Sequence, residues 1–320
     1  MDFLKFFINK PIIKNILQDK KSGLRSGYLF FSPDEKTNDC VLKCLATVLL
    51  CKNDGCFNCP DCVKVKEGTH PDLISYPVGN SFNVQDAKNI VIEATKKPML
   101  CDIKIILINN IDNSSEEAQN KLLKTLEEPP KNVIFLVSTK NMDRVLPTVR
   151  SRLLKREIAP FDYQGLSQIF EEYNQKADFE LALKHGNGYI GKTLDILCDD
   201  TFLDNYNLCK DIVTKLKSSN EVVNFLNYKL DKKNFKNILE NLQSMYRDIM
   251  LIKANKWDII INKNICENLK SVENEFSFDA LVKIIQKIND ANNKQFSNVS
   301  LTLIFESLLV GILEVKYLCR

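Results

Sequence analysis

The sequence has no long apolar run, no strong excess of either charge and only two histidines, His70 and His185. No stretch reaches the ~18 apolar residues that a membrane span requires. The opening MDFLKFFINKPIIKN breaks its apolar residues with charges and offers no small-residue cleavage site. A cytoplasmic location without membrane association is therefore expected. The 44 basic and 41 acidic residues leave a formal charge of +3, too even a balance to argue nucleic-acid binding from bulk electrostatics. A basic face with interleaved aromatics is also missing. Eleven cysteines are an odd number, and several lie inside helical or strand patterns, which fits thiols kept reduced better than a disulfide framework. With 320 residues, 44% of them hydrophobic, the chain has material for two or three domains.

The most informative stretch is 105–152. Residues 105–108 and 133–137 are unbroken apolar, β-rich runs, the pattern of strands covered on both faces of a parallel sheet. Between them Ser114 and Glu117 have capping-box spacing, and Ala118, Leu122, Leu123 and Leu126 mark one helical face. Pro129 and Pro130 forbid continuation. Upstream, residues 10–21 read as a helix, 28–31 as a strand, and 42–49 as an apolar helix. A further helix is expected over 83–97.

Cys51, Cys56, Cys59 and Cys62 form C-x4-C-x2-C-x2-C on a loop with Asn53, Asp54, Gly55 and Pro60. Four thiolates at this spacing suit a structural Zn²⁺ with no vacant coordination position, the alternative being incidental surface thiols. Cys40 and Cys44, one helical turn apart, read as small core residues. His70 is expected in a hydrogen-bonding role beside Pro71 rather than as a ligand. One segment, GNGYIGKT at 186–193, fits the bare phosphate-loop pattern G-x-x-x-x-G-K-[ST]. It follows a helical pattern instead of a strand and reads as a chance match.

The sequence LLKTLEEPP (122–130) followed by LPTVRSR (146–152) resembles the AAA+ clamp-loader subunits of bacterial DNA polymerase III, relatives of replication factor C, and is most like the delta-prime type. The segment GTHPDL at 68–73 and a cysteine module after the first sheet helix agree, although the family's first cysteine gap is usually x8. The resemblance implies an α/β fold: a RecA-like parallel sheet domain over 1–160 with the zinc module at 51–62. A small helical lid over 161–205 and an all-α collar for oligomerisation over 206–320 would complete it. It also shows what this chain has lost. On the family loop G-x-x-G-x-G-K-[ST], the glycines become Ser32, Glu35 and Thr37, the lysine becomes Asn38, and the magnesium hydroxyl becomes Asp39. The Asp-Glu pair that holds metal and orients water becomes Asn109 and Asn110, which carry no charge and cannot act as a base. Carboxylates at Glu35 and Asp39 oppose a triphosphate, so no ATP cofactor is expected. Ser138 and Thr139 fall at the family's polar sensor.

The family's Ser-Arg-Cys motif appears as Ser151, Arg152 and Leu153. In the family this arginine reaches the nucleotide of an adjacent subunit. The resemblance therefore implies a stator: a subunit without ATPase activity of its own, supplying Arg152, with Ser151 beside it, in trans. Its partners would be gamma/tau ATPase and delta subunits in a hetero-oligomer, acting on the sliding clamp and primed DNA. The whole is part of a DNA-directed DNA polymerase holoenzyme, a nucleotidyltransferase. Two alternatives stay open: an ATP-hydrolysing gamma/tau-type subunit, and a stand-alone zinc-containing DNA-binding protein.

Overall fold

The computed structural model describes residues 4–77, 81–176, 179–295 and 299–318. The chain forms two compact units, one of residues 1–174 with 186–193, the other of 175–185 with 194–320.

The first unit alternates strand and helix: α1 Leu4–Phe7, α2 Pro11–Ser22, β1 Gly27–Phe31, α3 Glu35–Leu50, α4 Pro60–Glu67, β2 Leu73–Tyr76, α5 Val84–Thr95, β3 Lys104–Ile108, α6 Glu116–Glu127, β4 Val133–Thr139, α7 Pro147–Arg150, β5 Leu154–Glu157 and α8 Tyr163–Ile169. The strands form one parallel sheet in the order β2-β3-β4-β1-β5, with Ile106 beside Phe135 and Leu29 beside Val137. Every residue of β3 and β4 is buried, as their unbroken apolar runs require of strands covered on both faces. A core of Ile106, Ile108, Phe135 and Val137 meets Ala118, Leu122 and Leu126 of α6 and Ala87 and Ile90 of α5.

The start of α6 departs from the sequence reading. Ser115, not Ser114, caps the helix by accepting the Ala118 N–H, because Ser114 already closes a 3₁₀ turn over Ile111–Asn113 with its backbone N–H and hydroxyl on the Ile111 carbonyl. The chain thus enters the helix one residue late. The strand order sets the ends of β1, β4 and β3 side by side at their carboxyl ends, where open parallel sheets hold their ligands.

The second unit is helical. It includes α9 Phe179–His185, the end of α10 Ile190–Leu197, and then α11 Phe202–Lys215, α12 Ser219–Leu226, α13 Lys232–Lys253, α14 Cys266–Val272, α15 Phe278–Lys294 and α16 Leu301–Leu318. Phe235, Leu242, Tyr246 and Ile249 of α13 form its core with Ile284 of α15 and Phe305 and Leu309 of α16. Buried Asp248 pins the loop after α13 by accepting the N–H groups of Ile261 and Asn262. Residues 161–205, expected as a lid, are divided between the two units. Among the described residues no helix is long and apolar enough to cross a membrane.

Candidate functional site

The loop after β1 is shorter than a phosphate cradle. Helix α3 begins at Glu35 with Asp34 as its cap, so Glu35 and Thr37, at glycine positions of the ATP-binding pattern, are already wound into helix. Three donors converge on one carboxylate oxygen of Asp34: the Thr37 N–H at 2.8 Å, the Thr37 hydroxyl at 2.6 Å and the Gly191 N–H at 2.8 Å. The Ile190 N–H donates to Thr37 Oγ1 at 2.9 Å. Ile190 and Gly191 open α10, so their N–H groups have no partner within that helix. One buried carboxylate, with Thr37, therefore serves the amino ends of two helices. Helix amino ends attract phosphate, and here the anion comes from the protein.

This contact also explains GNGYIGKT. A Cβ on Gly191 would lie 2.4 Å from Asp34 Oδ1, and one on Gly188, whose φ is +82°, would lie 2.5 Å from Pro160 Cβ. These glycines allow close packing of 186–191 on the core, and Lys192 is exposed.

Asn38, at the lysine position, is fully buried. Its amide donates to the carbonyls of Ser32 and Thr139 at 3.2 Å each and its oxygen accepts from Ser32 Oγ at 2.8 Å, joining the ends of β1 and β4. Ser138 accepts the Asn110 N–H at 3.0 Å, and Asp112 accepts from the Thr139 hydroxyl at 2.9 Å. Ser138 and Thr139, expected at the sensor position, are thus tied into the sheet ends.

A cavity of about 260 Å³ remains beside them, lined by Glu35, Asp39, Asn109, Asn110, Asn113 and Phe82 among others. Asp39 Oδ1, Asn109 Oδ1 and Asn110 Oδ1 are buried here without a hydrogen-bond donor among the described residues. Burial, and then the neighbouring Glu35 carboxylate, push the Asp39 carboxyl up to about 6. Lys140 pairs with Glu35 at 2.6 Å. The walls bring two carboxyl groups, Glu35 and Asp39, and no cationic side chain among the described lining residues, whereas a triphosphate needs cations.

The four expected cysteines come together. Sγ separations of 3.6 Å (Cys51 to Cys56), 3.8 Å (Cys51 to Cys59) and 3.9 Å (Cys56 to Cys62) match the edge of about 3.8 Å that tetrahedral thiolates at roughly 2.3 Å from a Zn²⁺ would have. The local backbone makes this arrangement. Asp54, Gly55 and Phe57 adopt positive φ, and Cys59 caps α4 ahead of Pro60. Lys20 donates to the carbonyls of Val48 and Cys51 and pairs with Asp54, fastening the module to α2. The N–H groups of Asn58 and Cys59 hold the Cys56 thiol down to about 6, while burial, and then hydrogen bonds to its neighbours, push Cys62 up. A cation shared by all four thiolates removes that conflict, so the donor set fits a four-coordinate metal.

Asp61, His70 and Cys101 form a second close group. His70 Nδ1 accepts the Asp72 N–H at 3.1 Å, which leaves the ring proton on Nε2, facing Asp61 at 3.7 Å and Cys101 at 3.8 Å. A protonated nitrogen is no ligand, so the arrangement is structural. Asp72 accepts the N–H groups of Met99, Leu100 and Cys101 at 2.6 to 2.9 Å and shapes the approach to β3. Burial works against its ionisation, and those three N–H groups outweigh it, holding its carboxyl below the usual range.

Arg152 follows α7 just before β5, which among the described residues pairs only with β1 and so is an edge strand. Its Nη1 donates to the Thr148 carbonyl at 2.6 Å and lies 3.4 Å from Ser151 Oγ, and its Nη2 donates to Glu127 at the end of α6. The side chain is 29% exposed. Leu153 is buried and fits against Gly27, where a Cβ would come within 2.4 Å of it. The cysteine-to-leucine change is accommodated by a glycine in β1. Gln119 of α6 accepts the Leu146 N–H at 2.9 Å and donates to the Arg144 carbonyl at 3.1 Å, setting the entry to α7. The roles of Asp34 and Gln119, and the contacts of Gly191 and Glu127, are not legible in the sequence, apart from a cap signal at Asp34, three residues before Thr37 and ahead of an apolar helix.

Two family models match the chain: one described as DNA polymerase III, delta subunit, over residues 9–162, and one described as DNA polymerase III, delta subunit, C terminal, over 204–314. The Bacillus subtilis DNA polymerase III subunit delta' is 22% identical over 317 residues, covering 95% of this chain and 96% of that protein. The Escherichia coli delta' subunit is 27% identical over 190 residues, 57% of each chain. The Haemophilus influenzae tau/gamma subunit is 25% identical over 293 residues, 87% of this chain, which spans only 40% of that protein's length. The chain belongs to the clamp-loader subunits of DNA polymerase III, and its first unit carries a five-stranded parallel sheet. Within the family it is a delta-prime-type subunit.

Proposed function

We propose that this chain is a catalytically inactive stator that completes the ATP site of a neighbouring clamp-loader subunit with Arg152. The observation that carries the reading is the Asp34 carboxylate at the amino ends of α3 and α10, with a helical turn where a phosphate cradle would be. The Glu35 and Asp39 carboxyl groups that line the cavity beside Asn109 and Asn110 support it. The guanidinium lies beside the sheet's edge strand, outside this chain's own pocket. A cation supplied from there to a developing phosphoryl charge is worth ~10³ to 10⁵ in rate in systems with an arginine finger. Ser151 caps α7 and holds the turn that carries Arg152.

In this reading the partners are gamma/tau-type ATPase and delta subunits in a cytoplasmic hetero-oligomer, with the helical second unit as the collar. Their ATP cycle loads the sliding clamp onto primed DNA within the polymerase holoenzyme. Zn²⁺, held by Cys51, Cys56, Cys59 and Cys62, acts as a structural ion with no vacancy for chemistry. The similarity to tau/gamma relatives favours one competing reading, an ATPase subunit. Calorimetric titration of the isolated chain with ATP and Mg²⁺ separates the two: no micromolar binding is expected, and such binding would defeat the stator reading. In a reconstituted complex, Arg152→Ala should leave assembly intact and lower ATP turnover at least tenfold, and unchanged turnover would refute the trans role.

A further inference from the structure

Helix α6 ends on two glutamates, Glu127 and Glu128, ahead of Pro129 and Pro130. The carbonyl end of a helix carries partial negative charge and favours Lys, Arg or His. Carboxylates there work against local stability, and such breaches of a local rule tend to sit at functional positions. Glu127 has a partner that accounts for it, since its Oε1 accepts from Arg152 Nη2 while the Thr148 carbonyl takes Nη1. The two parts of the sequence that carried the family resemblance, LEEPP and the Ser-Arg pair, are thereby brought into contact.

We propose that Glu127 is a positioning residue for Arg152, fixing the guanidinium plane so that it is already aimed when a neighbouring subunit's nucleotide arrives. The inference rests on the trans role proposed for Arg152. The pair is open to solvent, with Glu127 48% and Arg152 29% exposed. Exposed ion pairs are weak, so this one does not hold the arginine away from a multiply charged phosphate. What two simultaneous acceptors remove is the rotational freedom of a long side chain, which Arg holds in large measure. Each Nη carries two protons, and Glu127 takes one from Nη2, leaving the other directed elsewhere. Gln119, on the same helix, sets the entry to α7 through Arg144 and Leu146. One helix therefore governs both the turn that carries Arg152 and the orientation of its tip.

The test is steady-state ATP turnover by the reconstituted complex containing wild-type, Glu127→Gln, Glu128→Gln, Arg152→Ala or doubly substituted Glu127→Gln/Arg152→Ala chain, with assembly checked by gel filtration. Glu127→Gln should lower kcat about fivefold, the scale of an exposed ion pair, with KM for ATP unchanged because this chain does not bind the nucleotide. Glu128→Gln should match wild type, and the double variant should equal Arg152→Ala alone. A kcat for Glu127→Gln equal to or above wild type, or a further loss in the double variant, would overturn the positioning role. If Arg152→Ala itself leaves turnover unchanged, the reading of the arginine fails first. A loss in Arg152→Ala without one in Glu127→Gln defeats only the present inference.

Discussion

Asp34→Ala should loosen the 186–191 segment from the core, by an amount that follows from the bonds removed. The substitution deletes the cap of α3, worth ~1 kcal/mol at typical caps. It also leaves the buried Gly191 N–H without an acceptor, at a cost of about 1 to 3 kcal/mol. The cap is lost from the docked and the released segment alike, so only the Gly191 contribution, about 1 to 3 kcal/mol, enters the local opening equilibrium, roughly 5- to 140-fold at 1.4 kcal/mol per decade. Amide hydrogen exchange of residues 186–193 reads this directly and separates it from global unfolding. Asp34→Asn keeps an acceptor oxygen and caps nearly as well, so it should lose mainly the charge-to-dipole contribution, about 0.3 to 1 kcal/mol per helix. Exchange in Asp34→Ala as slow as in wild type would show that the carboxylate does not hold the segment, and the self-capping account would fall.

The remaining predictions concern Asp39 and the cysteines. Asp39 has its folded-state pKa raised, to about 6 from 3.8, so its contribution to stability is intact below about pH 4 and is lost as pH rises through 6. Asp39→Asn should therefore match wild type at pH 4 and exceed it at pH 8. The ceiling is about 3 kcal/mol for a shift of roughly 2.2 units, reduced to ~1.5 kcal/mol by partial solvent screening. Urea unfolding at both pH values checks this, and a pH-independent difference would contradict the burial argument. Elemental analysis of reduced protein should find one zinc per chain. Cys62→Ser should abolish it, whereas Cys44→Ala, in the apolar core, should leave it in place. Chelation of the wild-type ion should release residues 51–62 to proteolysis while the ends of β3 and β4 stay protected.

Much of the fold could be read locally because the signals are local. The apolar runs of β3 and β4 mark them as interior parallel strands, and C-x4-C-x2-C-x2-C brings four thiols together across a single turn. The proposed lack of catalytic carboxylates rests on residue identity alone, at Asn109 and Asn110, and needs no coordinates to be put forward. The α6 cap was misplaced by one residue because a 3₁₀ turn competes for Ser114, and cap spacing alone does not reveal a competing acceptor.

What the sequence determined by itself is which residue types stand at each position, Asn109 and Asn110 among them, since residue identity needs no geometry. What only the tertiary structure decided is which of them meet. Asp34 lies 157 residues from Gly191 and Glu127 lies 25 from Arg152, separations at which no periodicity links the partners. The parallel sheet order and the return of residues 186–191 to the core bring the first pair together, and the packing of α6 on α7 brings the second. A carboxylate then stands at helix ends that could have taken a phosphate, and another holds the arginine beside the sheet's edge strand.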